Sequence, residues 1–181
     1  MVNDDKPLIH ISENQVTVYG TLHNGKHRLG ANISIAYVPQ GNQLMSGTIR
    51  KIVTFADISA LHDEEIWKAL KISCVKDFVN DLENGIDTLL GERGTELSEG
   101  HMQRIAVARA VFSESPVLFL DEVTSSLDER IETELLKNLK NITHKTVLII
   151  THRPAALKIC DKIFEIQKGK ITIKSSVYSD A

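Results

Sequence analysis

Apolar positions along the chain fall into three patterns. Short unbroken runs occur in ISIAYVPQ (33–40), PVLFL (116–120) and KTVLIIT (145–151). Each is of strand length, and the pattern predicts buried strands. A spacing of four recurs from Asp63 to Cys74, where Ile66, Leu70 and Cys74 share one face, and predicts an amphipathic helix. VKDFVNDL predicts a second one. A longer helix is predicted from Ser98 to Phe112, with Met102, Ile105, Arg109 and Phe112 in register. DERIETELLKNLKNI predicts another, with Ile131, Leu135 and Leu139 on one face and Asp128 as N-cap. Alternation marks two hairpins: QVTVYGTLHNGKHRL around Asn24-Gly25, and KIFEIQKGKITIK around Lys168-Gly169. SGTIRKIVTF reads as a turn leading into a short helix or loop, GIDTLLGERGTE as turn-like, and PAALKIC as a short helix.

Strand, helix and strand between Val117 and Ile150 form a βαβ unit, so these strands are expected to be parallel. Near-continuous apolar runs fit strands buried on both faces of a sheet. In open α/β sheets, ligands bind outside the carboxyl ends of the strands. Asp121 and Glu122 leave one such end, His152 leaves a second, and Gln40 leaves a third. Parallel strands bring these four polar residues to one sheet edge.

Composition narrows the setting. The chain has 181 residues, 42% hydrophobic and 25% charged, enough for one domain with a real core. A net charge of −3 gives no electrostatic case for nucleic acid as a partner. Cys74 and Cys160 lie far apart and in no metal-ligand spacing, so they read as reduced thiols. No apolar run approaches the ~18 residues of a membrane span. A soluble, intracellular chain is expected, with any membrane role exerted through a partner.

The segments ELSEGHMQRIAVARA, PVLFLDEVTSSLD and VLIITHRP, in that order, resemble the nucleotide-binding domain of ABC (ATP-binding cassette) ATPases. IAYVPQGNQLMSGTIR and TLLGERGTELSEG resemble the exporter branch, and the resemblance runs from Ile33 to Ile171. It implies an α/β fold: a P-loop NTPase-like parallel sheet with helices on both faces and a helical signature subdomain. It also implies ATP and Mg²⁺ as cofactors. Asp121 matches the metal-holding acid of that family and Glu122 the general base that polarises the attacking water. His152 matches the switch histidine, and Gln40 the Q-loop glutamine that reaches metal and water. Ser98, Glu99, Gly100 and His101 match the signature segment, which contacts the γ-phosphate held by an opposite subunit. A helix start with Ser and Gly suits an anion on its own physics; a plain Ser N-cap is the plainer reading. Glu99 and His101 depart from the common pattern Leu-Ser-Gly-Gly-Gln. SSLD (125–128) matches the loop that crosses the dimer interface, although Asp128 equally satisfies a helix N-cap.

Such a site also needs a phosphate cradle, G-x-x-x-x-G-K-[ST]. Gly25-Lys26 is followed by His27 and Gly169-Lys170 by Ile171, and neither pair has the flanking residues. The expectation is therefore an exporter-type cassette that begins after its P-loop and its adenine-stacking aromatic. As one domain over 1–181, it divides into a hairpin and Q-loop strand (1–40), a helical subdomain (41–112) and a catalytic core (113–174). Expected partners are an exporter's transmembrane domain and a second nucleotide-binding domain, at the cytoplasmic face of a membrane that the chain does not itself span. The competing reading is a degenerate, non-hydrolysing cassette acting as a binding or regulatory module. A DNA-repair or chromosome-type ABC ATPase is disfavoured, because no long heptad run separates the motifs.

Overall fold

The structure is a computed structural model that describes residues 10–12, 15–17, 26–28, 34–41, 46–55, 63–91, 97–167 and 170–175. Its centre is a four-stranded sheet in the order β3 (Lys26–Arg28), β4 (Ser34–Val38), β7 (Val117–Asp121), β8 (Thr146–Ile150). β4 pairs with β7, and β7 with β8, in parallel; β3 pairs with β4 antiparallel. The register sets Val38 beside Leu120, and Asp121 beside Ile150. The three apolar runs are thus parallel neighbours whose carboxyl ends coincide.

Two further antiparallel pairs flank the sequence. β1 (His10–Ser12) pairs with β2 (Gln15–Thr17), and β9 (Lys162–Gln167) with β10 (Lys170–Ser175). The second is the expected C-terminal hairpin; its turn residues, Lys168 and Gly169, lie outside the described residues. The Asn24-Gly25 turn lies outside them too, and its flanks pair elsewhere, β2 with β1 and β3 with β4.

Between β4 and β7 come α1 (Ile49–Thr54), α2 (Asp63–Ile72), α3 (Lys76–Asn80) and α4 (Glu99–Phe112). β5 (Gly47–Thr48) and β6 (Leu89–Leu90) form a small clasp between them. Gly91 sits there at φ +114°, and a Cβ on it would meet Ser46 Oγ at 2.6 Å. The close approach requires glycine. α2 stops at Ile72 rather than running to Cys74. Cys74 adopts φ +58°, its N–H donates to Lys71 O, and Val75 N–H donates to Leu70 O. This is a Schellman stop, and Leu70 and Val75 are both fully buried in the same apolar cluster.

α5 (Glu129–Lys140) joins β7 to β8, and α6 (Pro154–Leu157) follows β8. β4, β7 and β8 advance in one direction across the sheet, so two right-handed crossovers put α4 and α5 on the same face. One core results: Ala36, Val38, Leu118 and Leu120 of that face pack with Ile105 and Val107 of α4 and Leu135 and Leu139 of α5. Ile49, Ile66 and Leu70 of the outer helices join the same cluster.

Two burial expectations are corrected. α4 is buried along Gln103, Ile105–Ala108, Ala110 and Val111, whereas Met102, Arg109 and Phe112 are only half-buried. The helix is wedged between the sheet and α1–α2, so its buried surface is wider than one amphipathic stripe. β8 is half-exposed rather than buried, with Ile150 39% exposed, because among the described residues it has a sheet neighbour on one side only.

Candidate functional site at the sheet edge and the α4 N-terminus

The expected residues form two clusters. The first lies where the parallel strands end. Asp121 is the last residue of β7, and its Oδ2 accepts a hydrogen bond from Tyr37 Oη at 3.0 Å. Burial, and then the charge of Asp121, hold the Tyr37 hydroxyl well above its usual range, so it stays a donor. Glu122 turns away at φ +52°, its N–H donating to Ile150 O at 2.9 Å. Its Oε1 lies 2.9 Å from His152 Nδ1. An ionised carboxylate only accepts, so Nδ1 carries the proton of that bond. The adjacent acids therefore engage different donors, Tyr37 for one and His152 for the other.

His152 is otherwise open, with 73% of its side chain exposed against 20% for Glu122. Arg153 anchors the same segment. Its guanidinium donates to Glu132 Oε2 at 2.8 Å, to Leu127 O at 3.3 Å and to Ser125 O at 3.0 Å. Gln40 leaves β4 at the same edge and is exposed.

The second cluster surrounds the start of α4. Ser98 caps the helix, its Oγ accepting from His101 N–H at 3.3 Å and lying 2.8 Å from His101 Nδ1. The His101 ring stacks on Phe78 at 3.7 Å between centroids. Burial, and then the nearby Arg104 charge, lower its pKa, so the ring is neutral near pH 7. Gly100 lies against the loop before α5: a Cβ there would stand 3.3 Å from Ser126 O and 3.4 Å from Leu127 Cδ2. Asp128 caps α5, accepting from Ile131 N–H at 2.9 Å. A cleft of ≈ 620 Å³ opens between these elements, lined by Ser98, Glu99, Gly100, His101, Arg104 and Asp128, among others.

The two clusters meet through one side chain. Gln103 of α4, 1% exposed, donates from Nε2 to Glu122 O at 3.2 Å and accepts at Oε1 from Ser126 Oγ at 2.6 Å. Tyr37, Gln103 and Arg153 were not expected from sequence. Tyr37 carried a weak signal, a hydroxyl one residue before the end of an apolar strand. Its meeting with Asp121 depends on the β4–β7 register. Gln103 carried none, because a polar residue in a helix normally marks a solvated face.

Asp121 and Gln40 supply hard oxygen donors of the kind Mg²⁺ takes. Tyr37 occupies one carboxylate oxygen of Asp121 and leaves the other. Among the described residues, no group of three or more His, Cys, Asp or Glu could hold a metal ion by itself. A cation here would draw most of its ligands from phosphate and water, which suits Mg²⁺.

The ABC transporter family profile matches residues 6–125. An ATP-dependent lipid A-core flippase of Desulfotalea psychrophila is 37% identical over 93% of this chain and 30% of its own length. A multidrug resistance ABC transporter ATP-binding and permease protein of Lactococcus lactis is 37% identical over 76% of this chain and 24% of its own. The solved structure of a bacterial Atm1-family ABC exporter with ATP bound superposes with a TM-score of 0.70 at 32% identity. That match covers 79% of this chain and 25% of the exporter. The chain belongs to the ABC transporter family, and its α/β fold is that of an exporter nucleotide-binding domain. It spans less than a third of the length of these relatives. Among the described residues, no helix is long and apolar enough to cross a membrane.

Proposed function

We propose that this chain is the ATP-hydrolysing part of an ABC exporter. It would act with a transmembrane domain and a second nucleotide-binding domain at the cytoplasmic face of a membrane. The observation that carries the reading is the meeting of Asp121, Glu122 and His152 at the carboxyl ends of adjacent parallel strands, with Glu122 Oε1 and His152 Nδ1 2.9 Å apart.

Asp121 and Gln40 would hold Mg²⁺, which when bound neutralises charge on the phosphates of ATP. Glu122 is the acceptor for a proton of the attacking water. His152 orients the Glu122 carboxylate through Nδ1–H. Ser98, Glu99, Gly100, His101 and Asp128 border the cleft that would receive the phosphates of a nucleotide bound to the opposite domain. There the positive end of α4 favours an anion. The 181 residues contain no G-x-x-x-x-G-K-[ST], so the cradle for the nucleotide beside Glu122 has to come from outside them.

Two measurements test this. Titration with a fluorescent ATP analogue and Mg²⁺ is expected to show very weak binding and no turnover by the chain alone. Micromolar affinity with turnover lost in Glu122→Gln would overturn the need for an outside cradle. Added to a complete cassette of a relative, the chain is expected to raise ATPase activity, and Ser98→Arg to remove that rise. No change at saturating chain would sink the proposal.

A further inference from the structure

Gln103 is an oddity by composition. It is 1% exposed and followed by the buried run Ile105, Ala106, Val107 and Ala108. A residue needed only to fill space there would be apolar, since burying an amide is unfavourable unless both its ends are bonded. Both ends are bonded, and both partners belong to the turn that follows β7: Glu122 O at 3.2 Å and Ser126 Oγ at 2.6 Å.

That turn contains an unfavourable backbone. Glu122 has φ +52°, a left-handed conformation that a side chain with a Cβ resists. Such a conformation persists when its surroundings over-determine it. Here the restraint comes from three directions. Ile150 O on β8 receives the Glu122 N–H at 2.9 Å, and Ser125 N–H donates to Glu122 O at 3.1 Å. Gln103 supplies the third bond, to the second lone pair of the same carbonyl. The first two come from the backbone and would exist for many sequences. The third is the only one of these from a side chain, and it reaches over from α4. Gly100, three residues earlier on α4, borders the same turn: a Cβ there would stand 3.3 Å from Ser126 O. One helix face thus borders the turn at two points.

We infer that Gln103 is a positioning residue: its amide holds the Glu122 carbonyl, keeps Glu122 in the left-handed turn that sends its carboxylate to His152, and through Ser126 links that turn to the α4 cleft. The inference rests on the reading of Glu122 as the residue that polarises water. Gln103 does not touch the Glu122 carboxylate; it acts through the Glu122 carbonyl and the Ser126 hydroxyl.

The test uses the isotope-labelled 181-residue chain in solution. Three-bond and residual dipolar couplings report φ at Glu122, and amide exchange reports the Ser125 N–H bond. Wild-type chain is expected to show positive φ at Glu122 and a through-hydrogen-bond coupling between Gln103 Nε2 and the Glu122 carbonyl carbon. Gln103→Met keeps length and bulk but no hydrogen bond. It is expected to return Glu122 to negative φ and to speed Ser125 exchange about tenfold. Gln103→Glu keeps the acceptor for Ser126 but loses the donor, and is expected to behave like Gln103→Met. Ser126→Ala is expected to leave φ positive. Positive φ and unchanged Ser125 exchange in Gln103→Met would reduce Gln103 to a packing residue and overturn the inference. Should that variant fail to fold, absence of the through-bond coupling in the wild type overturns it equally. The catalytic reading is tested separately by Glu122→Gln in this chain joined to the G-x-x-x-x-G-K-[ST] segment of a relative, which supplies the cradle beside Glu122. Unchanged turnover there removes the catalytic meaning and leaves the backbone result standing.

Discussion

The sheet-edge cluster and the α4 cleft are assembled by different means. The cleft is built from caps: Ser98 bonds to His101 and Asp128 to Ile131, each across three residues. The bonds that hold the two capping side chains are local. The sheet edge is built from long-range contacts. Tyr37 reaches Asp121 across 84 positions, His152 reaches Glu122 across 30, and Arg153 reaches Glu132 across 21. Local caps form with any helix of that sequence, whereas long-range contacts exist only once the sheet is in register. Damage to the first should be small and confined; damage to the second should spread.

The largest effect is expected from Arg153→Met. It leaves Glu132, with 5% of its side chain exposed, as a buried carboxylate without its cation. Stability should fall by about 3 kcal/mol, and Glu132→Leu in the same chain should restore most of it. Urea denaturation of the single and double variants checks this. A double variant as unstable as the single one would mean that Arg153 acts chiefly through the carbonyls of Ser125 and Leu127.

Asp128→Ala should cost less, about 1 kcal/mol, because the hydrogen bond it removes is a local cap bond. Ser98→Ala should match it, again by urea denaturation. A cost near that of Arg153→Met would erase the distinction between the two regions.

Glu122→Gly is expected to change sign. Glycine accepts φ +52° without a Cβ penalty, so stability should rise by ~0.5 kcal/mol although the bond to His152 is lost. The melting temperature checks this. A fall would show that the Glu122–His152 bond outweighs the backbone strain.

The smallest effect concerns pH. His101 has a folded pKa below its ordinary 6.5, set by burial and then Arg104. The unfolded chain therefore takes up the proton first. Stability is full above about pH 6.5 and declines as pH falls through that value, reaching a floor below the lowered folded pKa. Comparing His101→Gln with wild type between pH 5 and 7.5 isolates this slope, which should vanish in the variant.

Much of the fold was legible because period and run length are local. The strands at 34–38, 117–121 and 146–150, the helix caps at Ser98 and Asp128, and the C-terminal hairpin follow from which residues neighbour which in sequence. The parallel arrangement followed as well, since a strand–helix–strand unit closes in one way. That alone brought Asp121, Glu122 and His152 to one edge. Cys74 was misjudged as helical, because a four-residue spacing continues past a left-handed stop that only backbone geometry reveals.

Tertiary structure decided the rest. No local pattern says that Tyr37 meets Asp121, since that depends on the offset between β4 and β7. None says that Glu122 adopts positive φ, since that conformation is unfavourable alone and survives through bonds from β8 and α4. None says that Gln103 is buried, since a polar residue in a helix points to solvent unless a partner on another element satisfies it. The sequence by itself determined which residues carry charge, donors and caps, and at which strand ends they stand. Which way those groups face was settled by contacts between residues far apart in the chain.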